Sequence, residues 1–360
     1  MKLKKKILAI IIAALFVIFP LSSCGNTNEN ADVHVFYYTY SDPYISTVRA
    51  ALDKTLSNAG ISYQDHDSNN NQTTQTEQIQ TAITKGAKLL VVNIVTTGSD
   101  DAAKSIISLA KNAGIPVIFF NREVSDDVVK SYNKCAFIGT DAAEAGKLQG
   151  DMIGDYVTKN YSSIDLNGDG EISYVLFMGE KGNNEAIYRT KYSVENANKK
   201  LEAAEKKPLK FYDSANKDKY LLDRDGKWSA QAANEYMTTI LSSHSTSSKN
   251  MVELIICNND GMAEGAISAL NSAGYNTGKS GSVTIPVFGV DATSAAKELI
   301  KDKKMTGTIK QDGEAMAKAI EKVVENGLNS KALFEGMSDY SIDSGVSKLR
   351  IPYAVYLGES

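Results

Sequence analysis

Gly114-Ile115-Pro116-Val117-Ile118-Phe119-Phe120-Asn121-Arg122 is the stretch on which the fold turns, and Thr284-Ile285-Pro286-Val287-Phe288-Gly289-Val290-Asp291 repeats its plan later in the chain. In both, a proline closes what precedes it, an unbroken apolar run follows, and polar residues end the run. A run with no alternation reads as a strand buried on both faces, which is the pattern of a parallel sheet covered by helices. Helical apolar periodicity comes before each run and ends at a glycine suited to the left-handed position after a helix, Gly114 in one case and Gly274 in the other.

The same alternation extends outward through the chain. Strands are expected at 33–39, 89–95, 116–121, 136–140, 172–179, 209–213, 253–258, 286–291 and 306–310, with helices at 45–58, 74–85, 100–112, 142–159, 186–206, 230–242, 262–272 and 314–325. Strands alternating with helices specify an α/β fold with parallel sheets. Nine or more strands exceed one comfortable sheet of this kind, so two Rossmann-like, doubly wound lobes are expected. The 360 residues, 42% apolar and 23% charged, suit two packed domains and exclude a disordered chain. A net charge of −4 offers no electrostatic footprint for nucleic acid, which excludes that class of partner.

Lys2, Lys4, Lys5 and Lys6 precede an apolar run over 7–19, which is too short for a membrane span and reads as a signal peptide over 1–23. Leu21-Ser22-Ser23-Cys24 resembles a bacterial lipobox, so cleavage before Cys24 and a lipid on its thiol are expected. Cleavage removes four lysines and no acid, taking the net charge from −4 to −8. Residues 24–31 are polar and suit a short tether. The mature chain is therefore expected outside the cytoplasm, held to the cell membrane by its lipid. Cys135 and Cys257 lie in apolar stretches and read as small buried hydrophobes, with a disulfide between them the alternative.

In open parallel sheets a ligand sits beyond the carboxyl ends of the strands. Tyr38, Tyr40, Asp42 and Tyr44 stand there, followed along the chain by Asn121-Arg122, Asp141, Glu180, Asn258-Asn259-Asp260 and Asp291. Flat rings cover the C–H faces of a sugar, while carboxylates and amides satisfy its hydroxyls. Any single Asn or Asp in this set reads equally well as a helix cap. Ala273-Gly274-Tyr275-Asn276-Thr277-Gly278-Lys279-Ser280 approximates a phosphate-binding loop but follows a helix and leads to a strand, the reverse of what that chemistry needs. His34, His66 and His244 accompany no nucleophile motif, so an enzyme is not the favoured reading.

Asp165-Leu166-Asn167-Gly168-Asp169-Gly170-Glu171-Ile172-Ser173 matches the first nine positions of a calcium loop. Position twelve, where a bidentate Glu belongs, is Leu176, and neither an entering nor a leaving helix is expected beside the loop. An Asx-rich turn without metal is the alternative.

Taken together, the lipobox, Phe119-Phe120-Asn121-Arg122-Glu123, Ile138-Gly139-Thr140-Asp141, the calcium-like loop, Cys257-Asn258-Asn259-Asp260-Gly261-Met262-Ala263 and Pro286-Val287-Phe288-Gly289-Val290-Asp291-Ala292 resemble the galactose/glucose-binding protein family of bacterial sugar importers. The resemblance implies a periplasmic-binding-protein type I fold whose lobes join at three crossings, near Thr140, Lys310 and Arg350. One lobe then takes 32–140 and 311–349, the other 141–310 and 350–360. It also implies a monomer that closes on a galactose- or glucose-like monosaccharide and delivers it to an ABC permease. In the family's motif Asp42 grips the sugar, Tyr44 and Trp228 stack on opposite faces of the ring, and Asn121, Arg189, Asn259 and Asp291 bind hydroxyls. Glu253 supplies the missing calcium ligand beside Asp165, Asn167, Asp169, Glu171 and Ser173, making Ca2+ a structural cofactor.

The departures from the family cluster in the cleft. Asn183 and Glu185 replace a His and an Asp, and Gln311 replaces an Asn. The sugar class survives these changes while its identity stays open. The rival readings are a sensor subunit feeding a membrane kinase or chemoreceptor and, from another class, a secreted glycosidase. A repressor of related fold is disfavoured by the lipobox.

Overall fold

The computed structural model describes residues 30–358. The signal-peptide and lipidation expectations, Cys24 included, fall outside the described residues. In chain order the elements are β1 (Val33–Tyr37), α1 (Pro43–Asn58), β2 (Tyr63–Asp67), α2 (Gln72–Thr84), β3 (Leu89–Val92), α3 (Asp101–Ala113), β4 (Val117–Phe120), α4 (Asp126–Lys130), β5 (Cys135–Gly139), α5 (Ala142–Ile164), β6 (Ser173–Met178), α6 (Asn184–Ala203) and β7 (Lys210–Phe211). They continue with β8 (Leu221–Leu222), α7 (Ala230–Leu241), β9 (Leu254–Cys257), α8 (Asp260–Ser272), β10 (Val287–Asp291), α9 (Ser294–Lys301), β11 (Gly307–Gln311), α10 (Gly313–Leu328), β12 (Ser341–Ile342), β13 (Lys348–Arg350) and β14 (Tyr353–Tyr356).

Two sheets result. The first runs β12-β13-β5-β4-β3-β1-β2, and the second runs β14-β11-β10-β9-β6-β7 with β8 also paired to β6. All pairings are parallel except β12 with β13 and β11 with β14. Burial explains why the strands read as continuous apolar runs. Val33, Val35 and Tyr37 enter one cluster with α1 and α10, while Phe36 between them enters the cluster on the opposite face. The chain leaves the first sheet after β5, returns after β11 and crosses again between β13 and β14.

A ridge of small residues sets one feature of the second lobe. Gly146, Gly150 and Gly154 line the side of α5 that meets α6, and a Cβ on them would lie 2.5 Å from the Tyr188 carbonyl, 2.6 Å from the Tyr192 carbonyl and 2.7 Å from Lys200 Cβ. Glycine there lets the two helices touch backbone to backbone, which brings the first turns of α6 to the mouth between the lobes.

Several elements differ from expectation. The strand β2, Tyr-Gln-Asp-His-Asp, escapes an apolar-run search because it is the polar edge of its sheet. The helices α4 and α9 are only 5 and 8 residues long, and α5 continues to Ile164, past the expected 159. That extension corrects the reading of the calcium-like loop: a helix does enter it, with Asp165 as the residue after the last turn. Cys135 and Cys257 are free and buried.

Candidate ligand site between the lobes

The carboxyl ends of the two sheets face each other across one cavity. The empty space there, open solvent at its mouth included, is about 360 Å3, and its wall contains Asp42, Tyr44, Asn121, Asn183, Glu185, Arg189, Trp228, Asn259, Asp291 and Gln311. These are the ten residues singled out from the sequence. Tyr38, Ile45 and Arg122 complete the wall. Tyr38 and Arg122 were legible only as strand-end residues; nothing in their spacing marked them as wall.

Three wall residues also cap helices, so the two readings open at the sequence level hold together. Asp42 Oδ1 accepts from the Ile45 amide at 2.9 Å, Asn183 Oδ1 from Ala186 at 3.2 Å and Asn259 Oδ1 from Met262 at 2.9 Å. The other Asp42 oxygen accepts from the Tyr38 hydroxyl at 2.5 Å. Asn121, Trp228 and Asp291 hold positive φ, at 60°, 55° and 121°. For a bulky indole this is a rare conformation, and strain of this kind costs on the order of 1–3 kcal/mol and concentrates at functional sites.

Arg189 reaches in from α6. Its Nη1 donates to the Asn258 carbonyl at 2.9 Å, its Nη2 to the Tyr353 hydroxyl at 3.0 Å and to Gln311 Oε1 at 3.4 Å, and Asp291 Oδ1 lies 3.9 Å away. Among the described residues, Arg189 Nε has no hydrogen-bond partner, nor does either carboxylate oxygen of Glu185. Burial raises the Glu185 carboxyl above its ordinary range, with the Arg189 charge opposing the shift. Asp291 is raised well above its range for the same reason, again against Arg189. Unpaired buried donors and acceptors on residues that line one cavity are what a polyhydroxylated guest would satisfy.

The aromatic residues are placed unequally. Trp228 is 8% exposed and lies flat against Gly179, where even a Cβ would overlap its ring. Tyr44 is 6% exposed, packs in the apolar cluster of the first lobe and turns its hydroxyl toward Met316 Sδ at 3.9 Å. It walls the cavity from within that core.

Between the lobes, at the cavity rim, Arg122 Nη2 meets Glu180 Oε2 at 2.6 Å. The same guanidinium donates to the Val95 carbonyl at 2.8 Å and lies over the Tyr38 ring at 4.3 Å. Trp228 Nε1 donates to Glu180 Oε2 at 3.4 Å, and Thr97 donates to Glu180 Oε1 at 3.4 Å.

Far from the cavity, the 165–173 loop is closed by Glu253. Its Oε1 accepts from the Leu166 amide at 2.8 Å and its Oε2 from the Ser173 amide at 2.8 Å and hydroxyl at 3.0 Å. Asp165 gathers the amides of Gly168, Asp169 and Gly170 at 2.8, 3.2 and 3.0 Å. The Glu171 side chain turns outward to Lys210 at 2.6 Å and Lys207 at 3.6 Å, so only its backbone carbonyl is left for an ion. Oxygen donors from Asp165, Asn167, Asp169, Ser173 and Glu253 suit a hard cation in kind. Among the described residues, however, no three Asp, Glu, His or Cys side chains converge as a metal-binding group.

A family model described as a periplasmic binding protein domain matches residues 33–332. The chain belongs to the periplasmic binding protein family. This binding protein is 34% identical over 346 residues to the D-galactose/methyl-galactoside binding periplasmic protein MglB of Haemophilus influenzae, covering 96% of this chain and 95% of that one. It is 24% identical over 302 residues to the ribose import binding protein RbsB of Escherichia coli, covering 83% and 86%. In fold it is similar to an ABC transporter solute binding protein of Clostridium phytofermentans with bound β-D-glucose, at a TM-score of 0.70 and 21% identity over 90% of this chain and 93% of that one. The family places it among extracytoplasmic solute-binding proteins. No helix among the described residues is long and apolar enough to cross a membrane.

Proposed function

We propose that this binding protein captures a monosaccharide between its lobes and delivers it to an ABC permease, anchored to the outer face of the cell membrane by a lipid on Cys24. The supporting observation is that the ten residues read from the sequence as sugar contacts line one small cavity between the sheets. Galactose or glucose is the first expected ligand, in line with what the relative sharing 34% of its residues is named for binding.

The mechanism follows from where each group sits. Asp42, Tyr44 and Asn121 belong to the first lobe, whereas Asn183, Glu185, Arg189, Trp228, Asn259 and Asp291 belong to the second, so only the closed form completes the wall. A ligand that touches both sets shifts the equilibrium toward closure. Trp228 offers a flat apolar face, and the unpaired Glu185 oxygens and Arg189 Nε take and give hydrogen bonds to ring hydroxyls. An epimer with one hydroxyl misplaced leaves a buried group unpaired, at a cost of roughly 1–3 kcal/mol. Calorimetric titration with galactose, glucose, ribose and myo-inositol tests this. Micromolar or tighter binding of one of them is expected, and failure of every monosaccharide to bind would overturn the reading. Calcium, held by Asp165, Asn167, Asp169, Ser173 and Glu253 with the Glu171 carbonyl, is proposed as a structural clamp.

A further inference from the structure

Glu180 stands outside the cavity wall, yet three of the wall's side chains converge on it. One oxygen, Oε2, accepts from Arg122 Nη2 of the first lobe at 2.6 Å, from Trp228 Nε1 of the second at 3.4 Å and from Asn183 Nδ2 at 3.5 Å. The other accepts from Thr97 of the first lobe at 3.4 Å. Asn183 also donates to Thr97 at 3.2 Å, and Gly182 approaches Gly98 so closely that a Cβ on it would stand 3.2 Å from the Gly98 Cα. Arg122 is 5% exposed and Glu180 17%, so their ion pair is shielded from solvent. Shielding strengthens the attraction between them: the closed rim holds the two charges paired with little screening, whereas an opened cleft parts them and returns each to water. None of these contacts involves a ligand.

We propose that Glu180 is a positioning residue that latches the lobes through Arg122 and with the same oxygen holds the Trp228 indole in place, so that the closing contact and the aromatic wall share one carboxylate oxygen. The sequence of contacts runs from Asp42 through Tyr38 and the overlying Arg122 to Glu180 and then to Trp228, crossing from one lobe to the other. Opening parts Glu180 from Arg122 and Thr97 of the first lobe, while the indole N–H stays on Glu180 within the second lobe and loses Arg122 from its surroundings. Because the latch needs no ligand, the free protein populates the closed form appreciably. Apparent affinity scales with the fraction of binding-competent protein, so weakening the latch weakens binding in proportion.

Glu180→Gln and Arg122→Gln, singly and combined, test the idea with two readouts that need no sugar. Spin labels at the exposed positions Lys104 and Thr239, one on each lobe, report the interlobe distance distribution in the unliganded protein. Trp228 is the only tryptophan, so its emission reports the indole's surroundings directly. Each single variant is expected to lengthen the interlobe distance and shift the emission, and the double variant to add nothing further. Where a sugar binds, affinity should fall about tenfold in each single variant, without a second fall in the double. Distances and emission like those of the unaltered protein in both single variants, or effects that sum in the double variant, would overturn the latch. Arg122→Gln leaves the second lobe untouched and decides the matter if Glu180→Gln does not fold. The affinity readout rests on the proposed binding of a sugar; the distance and emission readouts do not, so a protein that binds no sugar would end that proposal and leave this one tested.

Discussion

Gly179→Ala places a single methyl where the indole wall is most sensitive. Gly179 follows β6 with a backbone that any residue accepts, so alanine adds no conformational strain. Its Cβ, however, would overlap Cδ2 and Cε3 of Trp228 and stand 2.7 Å from Cε2. To recover ordinary contact the ring must retreat from Gly179 by about 1 Å, which displaces a residue of the cavity wall. Overpacking of this size costs roughly 1–3 kcal/mol, which corresponds to roughly 5- to 150-fold in affinity if the closed, liganded form bears it. Calorimetry with the best sugar, followed by tryptophan emission of the free variant, separates the outcomes. Weakened binding, shifted emission and a lowered melting temperature are expected. Affinity within twofold of the unaltered protein would show that the indole face is not a ligand surface, and the stacking argument would fail.

Trp228→Ala should abolish measurable sugar binding and lower stability by about 3–5 kcal/mol, since it empties a buried site in the second lobe; denaturant melts and calorimetry read the two effects separately. Chelation of divalent ions should lower the melting temperature if calcium clamps the 165–173 loop to Glu253, and an unmoved melt would leave that loop a turn held by its own amides. Burial, with Asp53 close by, raises the Asp65 carboxyl to about 8. The folded protein therefore holds a proton that the unfolded chain has lost between about pH 4 and pH 8, so stability should decline as pH rises through that window and Asp65→Asn should flatten the decline. Gly150→Ala would press a methyl against the Tyr192 and Ser193 carbonyls and should cost about 1–3 kcal/mol in the same melts.

How far the sequence could be read depended on what each residue packs against. The buried strands β3, β4, β5, β9 and β10 are apolar because helices cover both faces, and that pattern is local and visible. The polar strand β2 owes its place to pairing with β1 alone, and β14 to antiparallel pairing with β11 after a crossing; neither partner is near in sequence. Of the site, the strand-end Asn and Asp residues announced themselves by position and, with the aromatics beside them, by chemistry suited to a sugar, while Arg189, Trp228 and Gln311 came only from the order of motifs. The interlobe contact of Arg122 with Glu180 and the meeting of Tyr353 with Arg189 join residues 58 and 164 positions apart, and no periodicity signals such pairs. The helix entering the 165–173 loop lies past the expected end at 159 because the last turn of α5, Asn160-Tyr161-Ser162-Ser163, carries no apolar periodicity.

Asp42, Asn183 and Asn259 each hold a helix amide before any guest arrives. Their rotamers are therefore already frozen, and a guest is spared the roughly 0.5–1.5 kcal/mol per side chain that ordering would otherwise take. The same arrangement restricts how the pocket drifts toward new sugars: exchanging any of the three frays a helix as well as altering recognition. Diversification should instead fall on wall residues with no such duty, and Glu185 and Gln311 are two of them.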